Sequence, residues 1–237
     1  MPTARINDID VYYETHGEGR PLMLIAGLGS GVSLFARSIP IFSKYREVIA
    51  FDNRGAGHTD KPDFPYTIEM MTDDAAGLLT ALDVKRADML GVSMGGRIAM
   101  DLAIRYPEMV RGLILVSTTA RVTDQTRSSF GLRFGKLTKM ITGSGAFGKS
   151  AQPYRAFIHQ LDASAKFDCT DRLGGIGAPT LIMRGDRDTL APEDLVEEVH
   201  SGIEGSRLIE FKGGHIFFLW ENKKFTDAVS EFLHALG

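Results

Sequence analysis

Cysteine is nearly absent from this sequence: Cys169 is the single one among 237 residues. One thiol excludes an internal disulfide and a thiolate metal cluster, which makes a reducing, cytoplasmic location the expectation. The sequence also lacks any run of the roughly 18 to 20 apolar residues that a membrane-spanning helix needs, and its first residues form no apolar signal-peptide core. We therefore expect no membrane span.

Positive charge is not in excess either. The formal net charge of −3 gives no reason to expect a nucleic-acid partner. No H-E-x-x-H motif or cluster of histidines and acids is present, so we expect no metal. The absence of a G-x-x-x-x-G-K-[ST] loop argues against nucleotide phosphates, and we expect no cofactor. The sequence does not indicate an oligomeric state.

What the sequence does contain is 43% hydrophobic residues, enough for a sizeable core. Short apolar runs alternate with helical patterns, which predicts a doubly wound α/β fold with a mostly parallel sheet. The predicted strands are 22–26, 48–51, 87–92, 112–117, 180–184 and 207–211. The predicted helices are 34–44, 68–82, 94–105, 192–200 and 222–236. Thr67 fits the N-cap of its helix and Pro192 the first turn of another, and residues 6–14 predict an edge hairpin.

One segment interrupts this alternation. Residues 119–172 separate two core strands by more than a crossover helix requires, so we predict a small helical cap there, inserted into a core made of 1–118 and 173–237. A helical stripe supports it, formed by Phe130, Phe134, Leu137 and Ile141. The alternative is a satellite helical pair that only covers apolar surface. Six Lys and Arg and one acid lie in 120–150, which suits either anionic substrates or a solvated outer face.

A G-x-S-x-G motif lies between a predicted strand and a predicted helix, at Gly91 to Gly95. This is the nucleophile-elbow pattern, in which a tight, strained turn exposes the serine oxygen at a helix N-terminus. Ser93 is therefore the candidate nucleophile. Chance remains the alternative for so short a motif, although its position between strand and helix disfavours chance.

A serine nucleophile needs a base and an orienting acid. Of the six histidines, His215 follows the last predicted strand and so falls at the carboxyl edge of the sheet, where ligands of open parallel sheets bind. The acid is expected after the fifth strand, where Asp188 is the first choice. Asp186 is the alternative acid, although we expect it to stabilise the loop instead. The predicted catalytic residues are thus Ser93, Asp188 and His215.

The oxyanion formed by attack on a carbonyl needs preorganised donors. The backbone N–H of Met94, which follows the nucleophile, is one candidate. The second is expected from the glycine-rich loop after the first core strand, where Leu28 is the candidate.

Together these features resemble the α/β-hydrolase superfamily, and most of all its esterase, enol-lactonase and cofactor-free haloperoxidase group. The motifs that carry the resemblance span nearly the whole chain and lie at 25–29, 51–58, 91–96, 185–188 and 213–215. The resemblance implies a triad of Ser93, His215 and Asp188 and an acyl-enzyme intermediate. It also implies that Asp52, Arg54 and Gly57 form a structural turn.

Two departures from the family pattern stand out. The oxyanion loop often begins His-Gly, and here it reads Ala26-Gly27. The insertion is also shorter than in many relatives, which implies a more open site and disfavours a long-chain lipase. A serine at position 93, where haloalkane dehalogenases and epoxide hydrolases carry aspartate, argues against those two reactions.

The leading functional hypothesis is a serine hydrolase, a carboxylesterase for small to medium acyl esters, with lactones as a further class. The same triad would also serve 3-oxoadipate enol-lactone hydrolysis, perhydrolysis or carbon–carbon bond cleavage in β-diketones. A third hypothesis, from another class, is a small-molecule receptor or signalling protein with slow hydrolysis.

Overall fold

The computed structural model describes residues 2–124, 126 and 154–237. Eight strands of these residues form one sheet in the order β1-β2-β4-β3-β5-β6-β7-β8. Strands β3 to β8 are parallel, and the β1–β2 hairpin pairs antiparallel with β4. The strands are β1 Thr3–Ile6, β2 Ile9–His16, β3 Pro21–Ile25, β4 Glu47–Phe51, β5 Ala87–Val92, β6 Val110–Val116, β7 Thr180–Gly185 and β8 Arg207–Phe211. The predicted fold class and edge hairpin are confirmed.

Seven described α-helices accompany the sheet. They are α1 Ile39–Phe42, α2 Ile68–Ala81, α3 Met94–Arg105, α4 Tyr154–Lys166, α5 Glu193–Gly202, α6 Phe217–Trp220 and α7 Asn222–Ala235. Three 3-10 turns lie at Val32–Phe35, Pro107–Met109 and Thr170–Gly175. Helix α2 begins as predicted, with Thr67 Oγ1 accepting a hydrogen bond from the Met70 N–H at 3.1 Å.

The central strands are apolar without alternation because helices cover both faces of the sheet. In β3, Leu22 and Leu24 pack in one core cluster with residues of α1 and α7, whereas Met23 and Ile25 pack in the other with residues of α2 and α3. All four side chains are fully buried. Burial of each such side chain stabilises the fold by about 1.5 to 3 kcal/mol, which holds the strand ends firmly in place.

Two of the predicted helix boundaries were wrong. The continuous helix expected over 34–44 is instead a 3-10 turn followed by the single turn of α1, in which Pro40 occupies the first turn. A proline lacks the N–H that a longer helix running through it would need. Pro192 is the N-cap of α5 and not a residue of its first turn, since its ψ of 160° is extended.

The insertion 119–172 connects β6 and β7, which are neighbours in the sheet. Its described helix, α4, contacts the core at several points: Arg155 and His159 both bond to Asp63, and Gln160 is completely buried. The apolar stripe of the insertion, residues 130, 134, 137 and 141, lies outside the described residues. The role of the insertion as a cap stays a prediction.

Candidate active site

Ser93 lies in a sharp turn between β5 and α3, with φ 55° and ψ −117°. This is a positive-φ conformation that a non-glycine residue adopts only when its surroundings impose it. The Ser93 N–H donates to the Val116 carbonyl at 2.9 Å, and Thr118 Oγ1 donates to the Ser93 carbonyl at 2.7 Å. The residues that end β6 therefore help to hold the strained turn.

The glycines on either side of Ser93 are required by close packing. A Cβ on Gly91 would lie 2.3 Å from the Gly95 carbonyl oxygen, and a Cβ on Gly95 would lie 2.1 Å from the Ile25 carbonyl oxygen. Both distances are shorter than any side chain tolerates, so the turn can press α3 against β5 and β3 only with glycine at both positions. The motif thus has a steric cause in this fold.

Three predicted residues meet at the carboxyl ends of the parallel strands. Ser93 Oγ lies 3.0 Å from His215 Nε2, and His215 Nδ1 lies 2.9 and 3.0 Å from the two oxygens of Asp188. An ionised carboxylate only accepts hydrogen bonds, so Nδ1 is protonated and donates its hydrogen bond to Asp188. In the neutral ring Nε2 is then left as the acceptor for the Ser93 hydroxyl, which is the arrangement a general base requires.

Asp188 is held as an ionised acceptor. Its side chain is fully buried, and burial by itself would raise the pKa of the carboxyl group. Hydrogen bonds from His215 and from the backbone N–H groups of Leu190 and Ala191, at 2.9 and 3.1 Å, outweigh burial and lower the pKa below its ordinary value. The carboxylate is therefore charged at neutral pH.

Asp186, the alternative acid, has a different role in the structure. Its carboxylate accepts the Gly213 N–H at 2.8 Å, and this hydrogen bond is the main reason that the pKa of Asp186 is lowered. Gly213 lies two residues before His215. Asp186 thus stabilises the loop that carries the histidine, in agreement with the loop-stabilising role expected of it.

The other five histidines make contacts away from Ser93. Among the described residues they contact, in order along the chain, Glu14, Asp52, Asp63, Ser206 and the Ser230 carbonyl; the histidines are His16, His58, His159, His200 and His234. His215 is accordingly the histidine that the fold brings to Ser93.

The Leu28 and Met94 N–H groups are the predicted oxyanion donors. Met94 is the first residue of α3, so its N–H has no acceptor within the helix. Gly27 lies beside the nucleophile, since a Cβ on it would be 3.3 Å from Ser93 Cβ, and Leu28 follows directly. Among the described residues neither the Leu28 nor the Met94 N–H donates to a protein acceptor. The role of these groups as an oxyanion hole stays a prediction.

The loop that carries Leu28 is held from two directions. Gly29 N–H donates to Gln160 Oε1 at 3.0 Å, while Gln160 Nε2 donates to the Arg54 carbonyl at 2.7 Å. From the other side, Asp52 accepts the Val32 N–H at 2.8 Å. Sequence reasoning missed Gln160, because its partners lie more than 100 residues away and no local pattern marks them.

The turn around Asp52 and Arg54 is structural, as the resemblance implied. Asp52 also accepts the His58 N–H at 2.7 Å, and the Asp52 carboxylate fills the space that a side chain on Gly57 would need. Arg54 forms a buried ion pair with Asp74, at 2.6 and 2.8 Å. The described contacts of these groups are with backbone and with neighbouring side chains such as Asp8 and His58, and neither Ser93 nor His215 is among them.

A cavity of about 300 Å³ adjoins Ser93 and His215. This volume lies at the lower end of the range for small-molecule sites. Its described lining comes largely from α4 and from loops at the strand ends: Ser93, Arg97, Ser117, Val122, Thr126, Leu161, Asp162, Ser164, Ala165, Lys166, Leu190 and His215. Sequence reasoning also missed Arg97 and Ser117, although Arg97 follows the nucleophile by one helical turn, a spacing that places both on one helix face.

Within residues 2–124, 126 and 154–237, no three His, Cys, Asp or Glu side chains are grouped closely enough to bind a metal ion. None of the helices in the same ranges combines the length and the apolar character that crossing a membrane would require.

A family model described as "alpha/beta hydrolase fold" matches residues 20–142, just over half of the chain. The chain therefore belongs to the alpha/beta hydrolase fold family, which confirms the resemblance to that superfamily and supports a hydrolase activity.

Individual relatives cover nearly the whole chain. It is 30% identical to the protein named "Putative carbamate hydrolase RutD" of Azorhizobium caulinodans over 92% of both chains. It is 29% identical to the serine hydrolase BPHL of Homo sapiens, over 96% of this chain and 84% of that protein. The enol-lactonase from Burkholderia xenovorans LB400 superposes with a TM-score of 0.85 and 27% identity, over 98% of this chain and 100% of that one. The names of these three proteins agree on hydrolysis, and two of them also specify a substrate class, a carbamate in one and an enol-lactone in the other.

Proposed function

We propose that this chain hydrolyses carboxylic esters of small to medium size, lactones included, through an acyl-enzyme on Ser93. The observation that carries the proposal is the continuous hydrogen-bonded series from Ser93 through His215 to Asp188. Similarity to an enol-lactonase supports lactones as one part of the substrate class. The cavity of about 300 Å³ supports a small substrate.

In the proposed reaction, Ser93 Oγ attacks the ester carbonyl while His215 Nε2 takes its proton. Asp188 stabilises the imidazolium that forms. The Leu28 and Met94 N–H groups stabilise the oxyanion, aided by the positive end of the α3 dipole. His215 then protonates the leaving alcohol and activates the water that releases the acid.

We further propose that the insertion 119–172 acts as a cap. Helix α4 supplies five of the described residues that line the cavity, and Gln160 joins it to the Leu28 loop. Residues that line a cavity in this way decide which acyl and alcohol groups fit.

The test combines turnover with covalent labelling. Wild-type protein should hydrolyse 4-nitrophenyl butyrate and gain one phosphonyl group from a serine-directed phosphonate, located on Ser93 by peptide mass. Ser93→Ala should lose at least about 10⁴-fold in kcat and all labelling. Ser201→Ala, at an exposed position of α5, is the matched control and should keep both.

A panel of substrates then separates ester hydrolysis from the other reactions open to the same triad. Esters and lactones should be turned over many times, and faster than carbamates or β-diketones. Equal rates for wild type and Ser93→Ala would contradict the proposal, and so would multiple turnover of a β-diketone but of no ester.

A further inference from the structure

Arg97 is a buried cation among the residues that line the cavity. It lies on α3 one turn after Ser93, and only 7% of it is exposed. Nη1 donates to Ser164 Oγ and Nη2 to Thr119 Oγ1, both at 2.7 Å, whereas Nε has no partner among the described residues. Two of the five guanidinium N–H donors are therefore used, and both acceptors are neutral hydroxyls.

No acid of this chain neutralises Arg97. None of the described Asp or Glu carboxylates lies within ion-pair distance of it, and Asp162, which lines the same cavity, is exposed. The remaining residues, 1, 125 and 127–153, include no Asp or Glu at all. Burial lowers the pKa of Arg97 to about 10, so the group still carries its charge at neutral pH.

Arg97 lines the same cavity as the proposed nucleophile. Ser117, directly after β6, also lines the cavity. It combines a positive φ of 48° with a buried hydroxyl that has no partner in the described part of the chain. The next two residues connect the groups: Thr118 bonds to the Ser93 carbonyl and Thr119 to Arg97. One loop thus holds the nucleophile, the cation and an unpaired hydroxyl around one cavity.

We propose that Arg97 is the anion-binding residue of this cavity, and that the substrate carries a carboxylate in addition to the ester or lactone that Ser93 attacks. The proposal rests on the proposed function and narrows its substrate class. A single guanidinium balances a single negative charge, and its planar donors match a carboxylate.

A purely structural role does not explain why an arginine is buried at position 97. The side chain does join α4 to the loop after β6, but a neutral donor could make the same two hydrogen bonds. Burying a guanidinium without a counter-charge costs free energy that such a donor would not cost. A bound carboxylate would supply both the missing charge and an acceptor for the unused donors.

Binding can be measured without turnover in Ser93→Ala protein. We would titrate it by calorimetry with the monomethyl esters of succinate, glutarate and adipate, and with the dimethyl ester of each, which is neutral. The expected result is that the best monomethyl ester binds at least about tenfold tighter than its dimethyl partner. Adding Arg97→Gln to Ser93→Ala should weaken the binding of that monomethyl ester by about 10- to 100-fold. The affinity for the dimethyl ester should change by no more than about twofold.

Arg121→Gln is the matched control, because it removes the same charge from the loop to which Arg97 is hydrogen-bonded through Thr119. Arg121 already pairs with Glu198 through three hydrogen bonds of 3.0 to 3.3 Å, so the preference for the monomethyl ester should survive. If Arg97→Gln does not fold, Arg97→Lys replaces it and should keep part of the preference, since the charge remains.

Three results would overturn the proposal. The first is equal binding of the monomethyl and dimethyl esters to Ser93→Ala protein, the second is no binding of either, and the third is a preference for the monomethyl ester that Arg97→Gln leaves intact. The proposed function fails separately. If Ser93→Ala protein prefers the monomethyl ester while the wild type hydrolyses none of the esters, the carboxylate site stands and the hydrolysis does not.

Discussion

Replacing Asp188 by asparagine tests whether the hydrogen-bonded series at Ser93 does chemistry. In the structure one Asp188 oxygen accepts the Leu190 and Ala191 N–H groups. An asparagine must place its carbonyl oxygen there, because an NH₂ would face two donors. Its NH₂ then occupies the Oδ2 position, 2.9 Å from His215 Nδ1, and favours the tautomer in which Nδ1 is the acceptor. The ring proton moves to Nε2, and the base can no longer take the proton of Ser93.

The cost follows from this change of tautomer. Loss of the correct tautomer in a Ser-His-Asp series lowers kcat by about 10⁴-fold, which corresponds to about 5 kcal/mol of activation free energy. Little change in KM is expected, since Asp188 does not line the cavity. The assay is steady-state hydrolysis of 4-nitrophenyl butyrate at pH 7.5, with thermal unfolding to verify that the variant is folded.

Asp186→Asn is the matched control, two residues away on the same loop. Its carboxylate accepts one backbone N–H, from Gly213, and the amide oxygen of asparagine can accept the same bond. We expect less than about a tenfold loss of kcat. The reasoning is refuted if folded Asp188→Asn keeps more than a tenth of wild-type kcat, or if Asp186→Asn loses as much as Asp188→Asn does.

Two further predictions concern how the site is held. Gln160→Leu removes the acceptor of the Gly29 N–H, so the Leu28 loop should lose its position and kcat should fall by about tenfold with little change in KM; an unchanged kcat in steady-state kinetics would contradict that role. Gly95→Ala places a methyl group 2.1 Å from the Ile25 carbonyl oxygen and should destabilise the protein by at least about 3 kcal/mol in urea unfolding. Gly177→Ala, where a Cβ meets nothing within 4 Å, should change stability by less than about 1 kcal/mol.

Much of the fold could be predicted because its signals are local. The six predicted core strands all exist, since unbroken apolar runs report burial on both faces of a sheet. The boundaries of helices were harder to predict than their existence. Over residues 34–44, for example, Pro40 divides the expected continuous helix. The contacts that anchor α4 could not be predicted, because they join residues far apart in the sequence, such as Gln160 and Gly29, which are 131 residues apart.

The candidate site likewise has residues that the sequence could predict and properties that it could not. Ser93, Asp188 and His215 could be selected from sequence because each follows a strand of a parallel sheet, and the carboxyl ends of such strands meet at one edge. Arg97 could be read as one turn from Ser93, but not as a cation without a counter-charge. That property depends on which acids the whole chain brings near it, and only the tertiary structure decides that.

The sequence of this protein by itself therefore determined three things. These are the succession of strands and helices along the chain, the strained turn at Ser93 and the candidate partners of that serine. These follow from short-range steric limits and from hydrophobic periodicity, which a few neighbouring residues express. The tertiary structure alone decided the distances that connect Ser93 to Asp188, the anchoring of α4 and the unpaired charge of Arg97. Each of these is a relation between distant residues, and only the packed chain establishes it.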